Sequence, residues 1–444
     1  MSTANWQLQL EKMKLLKLAM RTLYFSFLCL LIFCSLESTV SSETEILKQG
    51  EVVNSSTSLV SSNKTFTLGF LIPAERNNYS YLAIWYTNNS MIRFPVWIGN
   101  RNEPIHNNSG VLTIDSSGRL IIKHNRGNVV LSAEQTTLDT TATLQESGSF
   151  VLSEVSSNGS LIRELWNSFD YPTDTLLPGM KLGIKHKTGK NWSLTSWQNP
   201  ITPAPGAFTL ERDPLRRRLV IRRRGVIYWT SGGLEKGEFP HIWTEFLNLN
   251  YKFSTLRNAD QEYFSYSLIY DELTSIERRT ISGWQLSASG SILDGDRPNV
   301  AYTENCYGYK DEAPQSSGCE LWKQPKCRKP GQEFQLRSGD FMFEKPLGPR
   351  YAEGTKVGNS SFPLSDCRAE CWNDCDCVGY DSSEYSNGCT FWRGKNLNFS
   401  QDISGMGSKC YVITEVTEPQ SKFLTDTISF IQLLNRKLQF SRAK

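Results

Sequence analysis

Between Cys34 and Cys306 the chain carries no cysteine, so this long middle stretch has no disulfides to hold it and must bury apolar cores instead. Histidine is equally scarce. His106, His124, His186 and His241 stand far apart, and neither H-E-x-x-H nor G-x-S-x-G accompanies them, which leaves no metal-hydrolase or serine-hydrolase arrangement. The sequence also lacks a glycine-rich phosphate loop, H-R-D and D-F-G, the parts that a kinase needs. Neither sign of charge dominates: the formal net charge of +3 argues against a nucleic-acid partner and against a membrane surface. The C-terminal part holds no run of about twenty apolar residues. Phe423–Leu434 comes nearest, but Thr425, Asp426, Thr427, Ser429 and Gln432 interrupt it, so residues 414–444 read as an amphipathic or disordered tail, with no C-terminal membrane span. These absences point to a binding protein and not an enzyme, with no catalytic residues, cofactor or metal of its own.

What is present begins with a targeting signal. Lys12, Lys14, Lys17 and Arg21 precede the apolar run Leu23 to Phe33, and small residues follow through Ser42, so residues 1–42 read as a secretory signal peptide. The long basic part leaves a second reading open, in which the segment stays uncleaved and tethers the chain to a membrane. Sequons agree with the secretory pathway. Asn54, Asn63, Asn78, Asn88, Asn107, Asn158, Asn191, Asn359 and Asn398 each head N-x-S/T, and together they fit a glycosylated surface.

From Glu43 to Leu165 short apolar runs recur about every ten residues with no helical period, which means an all-β domain over 43–165. Gly69, Gly99, Gly110, Gly118, Gly127 and Gly148 mark its corners. A second set of short strands, such as Ala207–Leu210, Leu219–Ile221 and Tyr263–Ile269, gives a second β domain over 166–292. The two meet at LWNSFDYPTDTLLPGMKLG, Leu165 to Gly183. Pro172 and Pro178 keep it out of central strands and helix interiors, while Asp170, Asp174 and Gly179 are turn formers. Glycosidases use paired carboxylates, but these two acids sit in turn chemistry, and an ordered connector anchored by Trp166 and Phe169 is the stronger reading.

Inside the second β domain lies RRRLVIRRRG, Arg216 to Gly225. Strand alternation puts Arg216, Arg218, Arg222 and Arg224 on one face and Leu219 and Ile221 on the other. The arginine face is either a solvated hairpin or a contact for an acidic partner such as a peptide or a cell-wall polyanion.

The remaining nine cysteines crowd between Cys306 and Cys410. Cys306, Cys319 and Cys327 fall in a Gly-, Pro- and Lys-rich linker, 293–340, and being three they cannot all pair among themselves. Cys367, Cys371 and Cys375 recur every four residues, which places them on one face of a short helix with Ser365 or Asp366 as its N-cap. Cys377, Cys389 and Cys410 follow. Close cysteines also suit zinc, but six in a secreted chain point to disulfides.

These strings resemble one family. The junction W-N-S-F-D-Y-P-T-D-T-L-L-P-G-M-K-L-G, the segments LVSSNKTFTLGF, YLAIWY, VWIGNRNEPI and LTIDSSGRLII, and YWTSGG at Tyr228 to Gly233 are similar to the extracellular part of plant bulb-type (G-type) lectin S-receptor-like kinases and S-locus glycoproteins. Asn167 replaces the usual Gln. The resemblance implies a mainly β fold: tandem β-prisms, then a small disulfide-rich PAN/apple-like α+β domain over 341–413, with Trp85 and Trp97 packed inside the first prism. It implies the pairs Cys367–Cys389, Cys371–Cys377 and Cys375–Cys410, and an EGF-like module reduced or absent in the linker. The family's mannose pocket, Q-x-D-x-N-x-V-x-Y, is eroded here. One copy reads Asp115, Ser117, Arg119, Ile121, Lys123 and another Gln145, Ser147, Ser149, Val151, Ser153, so only Gln145 and Val151 keep the family's residue type.

The reading that follows is a secreted, apoplastic glycoprotein built like a receptor-kinase ectodomain. It would bind a peptide, a glycan or a partner receptor ectodomain, alone or as a homo- or hetero-dimer. The alternatives are a plain mannose-binding lectin and a truncated product with no function of its own.

Overall fold

The computed structural model describes residues 17, 20, 21, 44–73, 78–87, 95–136, 138–243, 250–269, 282–295, 299–301, 303, 306, 318–320, 325–329, 331–343, 350–357, 364–381, 388–402 and 408–415. The signal segment, apart from three residues, and the tail beyond residue 415 lie outside them. Among the described residues no helix is long and apolar enough to cross a membrane.

Alternation of apolar and polar residues builds the first prism from three antiparallel sheets. In Thr140–Leu144, for example, positions 140, 142 and 144 are buried while 141 and 143 are half-exposed. One sheet runs Leu59–Val60, Phe66–Leu71, Tyr79–Tyr86, Pro95–Ile98, with Ile105–His106 added beside Tyr79. The second runs Gly127–Ser132, Leu120–His124, Val111–Ile114, Val52–Val53, and the third Ile46–Lys48, Thr140–Leu144, Phe150–Val155, Leu161–Asn167. Their inner faces meet through Leu68, Ile84, Leu112, Ile122, Leu144 and Leu152. Trp97 lies in this core, and Trp85 in a smaller buried cluster with Tyr81, Ile98 and Trp197.

The second prism repeats the plan with three further sheets. They are built on Trp284–Leu286 between Thr175–Leu176 and Ile292–Asp294, on Leu182–Lys185 and Gln261–Ile269, and on Thr202–Asp213 and Arg218–Arg223. Trp284 sits at its centre, stacked on Tyr266 at 4.7 Å, with Tyr251, Phe253 and Phe264 around it. The two prisms share one continuous core.

The third region is a seven-stranded antiparallel sheet, centred on Gln332–Phe343 and Lys409–Glu415, with one helix, Leu364–Asn373. Its long strand therefore begins inside the stretch read from sequence as linker. Four disulfides brace the C-terminal half: Cys306–Cys319, Cys327–Cys375, Cys367–Cys389 and Cys371–Cys377. The expected Cys375–Cys410 pair is replaced. The helix ends at Asn373, so Cys375 lies beyond it in a turn and meets Cys327, whereas Cys410 is a buried free thiol on the strand Lys409–Glu415. Ser365 and Asp366 lie inside the first helical turn and not at its N-cap. At the other end Arg328 donates from Nη2 to the carbonyls of Cys371, Asp374 and Cys377 and from Nε to that of Trp372, so the residue next to Cys327 caps the helix C-terminus.

Candidate functional site

The first three positions of each eroded sugar motif lie on turns, and the last two on the strands that follow, Leu120–His124 and Phe150–Val155. DSSGR (115–119), QESGS (145–149), SSNGS (156–160) and SASGS (287–291) close in the same way. In each, the first N–H bonds the fifth carbonyl at 2.8–3.0 Å, and the glycine N–H bonds the first carbonyl. The glycine has φ between +79° and +90° in all four, a conformation that a side chain resists. Asp115 is drawn into its own turn. Its Oδ1 accepts from the N–H groups of Ser117 and Arg119, and its Oδ2 from the Arg119 guanidinium at 2.7 and 2.8 Å. Burial pushes the Asp115 carboxyl up, but these bonds outweigh it and hold the group below the usual carboxylate range. In the second turn Ser149 Oγ donates to Asn167 Oδ1 at 2.7 Å, and Ser147 Oγ accepts from the Ser149 N–H at 3.3 Å. Ile121 and Val151 are buried, and the side chain of Gln145 is exposed and makes no hydrogen bond among the described residues.

The junction stitches the prisms together. Trp166 packs edge-on against Trp97 at 5.9 Å and stacks on Tyr171 at 5.6 Å, and Trp97 Nε1 donates to the Tyr171 carbonyl. Asn167 Oδ1 accepts from the Phe169 N–H at the start of a single 3-10 turn, Ser168–Asp170. Asp170 accepts from Trp192 Nε1 and pairs with Lys190, so it is a structural acid. Asp174 is 0 % exposed; its Oδ2 accepts from Gln285, and burial raises its carboxyl although Arg101 attracts the charged form. Arg101, from the first prism, donates to the carbonyls of Pro203, Thr195 and Ser196 in the second, each at 2.8 Å.

The arginine strand meets its acids within the chain. Only Arg218–Arg223 is extended; Arg216 lies in the preceding turn and Arg224, at φ 46°, in the following one, so the expected four-arginine face does not form. Arg218 pairs with Asp213 at 3.1 Å and Glu320 at 3.8 Å, and Arg222 pairs with Glu211. Arg223 and Arg224 both grip Asp366 at 2.6 Å, which joins the second prism to the helix of the C-terminal region. Leu219, Val220 and Ile221 are all buried beneath.

Sequence reasoning passed over one feature. A cleft of about 190 Å³ opens between the prisms, lined by Tyr79 and Tyr81 on one strand, by Arg101 and Pro104, and by Ile201 and Thr202 of the second prism. The alternating tyrosines of YSYLAIWY were the only signal, because the opposite wall comes from a distant hairpin.

Two β-prisms followed by a disulfide-braced α+β region define a bulb-type lectin-like protein. The family profile described as D-mannose binding lectin matches residues 95–198, and that of the PAN-like domain residues 351–399. The chain is 35% identical over 399 residues to a G-type lectin S-receptor-like serine/threonine-protein kinase of Arabidopsis thaliana, which takes in 84% of this chain and 46% of the kinase. A second such kinase of Arabidopsis thaliana is 36% identical, over 82% of this chain and 43% of its own length. An S-locus-specific glycoprotein of Brassica oleracea var. alboglabra is 29% identical, over 88% of this chain and 95% of the glycoprotein. The chain belongs to the family of G-type lectin S-receptor-like kinases and S-locus glycoproteins. It spans about half the length of the kinase relatives it matches.

Proposed function

We propose that the chain is a secreted or cell-surface glycoprotein that recognises a peptide, a glycan or a partner receptor's ectodomain, without chemistry of its own. Similarity along nearly the whole of an S-locus glycoprotein supports this reading. The observation that carries it over a plain mannose lectin is the closure of the Asp115 turn on Arg119, which withdraws the polar groups that a mannose pocket presents. Glycosylation belongs to the same proposal. Asn78, Asn107, Asn158, Asn191 and Asn398 are exposed, and Asn54 and Asn63 are half-exposed with Oδ1 turned to the backbone N–H two residues on. Asn88 and Asn359 lie outside the described residues. The test is to secrete the chain from a eukaryotic host and screen it against immobilised glycans and receptor ectodomains. Saturable, partner-specific binding is expected, and its absence across both panels contradicts the proposal.

A further inference from the structure

We propose that the cleft between the two prisms binds one neutral pyranose, the terminal sugar of a glycan, at a place separate from the turns of the first prism. The proposal rests on the recognition reading above and gives it one concrete site. Tyr79 and Tyr81 occupy alternate positions of Tyr79–Tyr86, so their rings share the cleft face of the sheet. Pro73, Pro104, Ile201 and Ala204 complete walls that are mostly apolar. Such walls suit the C–H face of a sugar ring, which packs on aromatic and aliphatic surface while its hydroxyls reach sideways.

The second observation is unused hydrogen-bonding capacity. Tyr81 is 5 % exposed, yet neither its hydroxyl nor that of Tyr79 has a hydrogen-bond partner among the described residues. Hydroxyls that line the cleft without a partner in the chain keep their hydrogen-bonding capacity free for a ligand hydroxyl. Burial, with Tyr79 close by, pushes the Tyr81 phenol up, so it remains a neutral donor. Asn102 and Thr202 add an amide and a third hydroxyl at the rim. Arg101 is the one charged group lining the cleft among the described residues, and it already donates to three carbonyls, which leaves the site suited to an uncharged, hydroxyl-rich ligand. Those same three bonds tie the two walls together, so the cleft is formed before the ligand arrives and little ordering cost attends binding.

Saturation-transfer NMR on the full chain tests this, with the methyl pyranosides of mannose, glucose, galactose and N-acetylglucosamine, and methyl galacturonide as the acidic control. At least one neutral sugar should receive saturation from the protein. Tyr81→Phe, which removes only the hydroxyl, should weaken it about tenfold. Ile201→Trp, which fills the cleft, should abolish it, and Gln145→Ala, on a first-prism turn, should leave it unchanged. If Ile201→Trp proves unfolded, the Tyr81→Phe result decides. The proposal is overturned if no neutral sugar is saturated, if only the galacturonide is, if Tyr81→Phe binds like the parent, or if Gln145→Ala removes the signal. Loss of sugar binding with receptor-ectodomain binding intact would end the cleft proposal and leave the recognition reading standing.

Discussion

Asp174 is the residue on which pH should act most clearly. Its carboxyl is raised above 3.8 by burial, so the folded chain holds this proton to a higher pH than the unfolded chain does. The group's contribution is therefore most favourable below 3.8 and declines as pH rises through the folded value. Asp115, Asp213 and Asp374 behave oppositely: their carboxyls are lowered, so they add stability above 3.8 and lose it in acid. Comparing the parent with Asp174→Asn cancels those three. Melting temperatures measured from about pH 4 to pH 7 should show the Asn variant gaining on the parent as pH rises; a difference that does not vary with pH contradicts this account. At this scale the sequence was half legible. Gly118 and Gly148 were readable as corners, and Asp170 and Asp174 as turn acids. That Asp115 would bond its own turn and Arg119 was not readable, because strand alternation and a five-residue turn assign the same polar side chains to different directions.

Two elements carry the C-terminal half. The helix Leu364–Asn373 is pinned by Cys367–Cys389 and Cys371–Cys377, and just past its end Cys375 joins Cys327 across 48 residues. Loop-closure entropy makes that last bridge worth about 4 kcal/mol, against about 2 kcal/mol for Cys371–Cys377 with its 6-residue separation. Non-reducing peptide mapping should return the four pairs, with Cys410 alkylated only after unfolding, since burial pushes its thiol up to about 12. A Cys375–Cys410 peptide would contradict the structure. The arginine strand makes a second test. Asp366 is 5 % exposed between Arg223 and Arg224, so Asp366→Asn should cost about 1–3 kcal/mol in thermal unfolding and weaken the hold of the second prism on the helix. Leu219→Ser, at a position 1 % exposed, should cost about 2–5 kcal/mol, whereas Arg222→Ser, partly exposed beside Glu211, should cost under about 1 kcal/mol. Equal losses for the last two would mean that the strand is not inserted as described. Strand positions were legible from apolar runs and helix existence from the four-residue cysteine spacing. The helix end was not, since a periodic pattern does not say where it stops; and the Cys375–Cys410 pair implied by the family resemblance gave way to Cys327, which the reading had left in a linker apart from this region.

Across the whole molecule, two prisms share one core and a braced third region leans on the second prism through Asp366. The junction was legible as an ordered connector because Trp166, Phe169 and Leu176 are too apolar for a flexible linker. The cleft was not, because its walls come from two prisms and no local pattern links Tyr81 to Ile201. The central claim is that the chain keeps the lectin scaffold while its first-prism turns have lost the mannose pocket. Isothermal titration of a mannose oligosaccharide into the parent and into Gln145→Ala tests it most directly, because Gln145 is the one polar pocket residue left in the family's form. The account predicts that the two proteins give the same isotherm, whether flat or shaped by binding elsewhere. Millimolar or tighter binding that Gln145→Ala abolishes would contradict it.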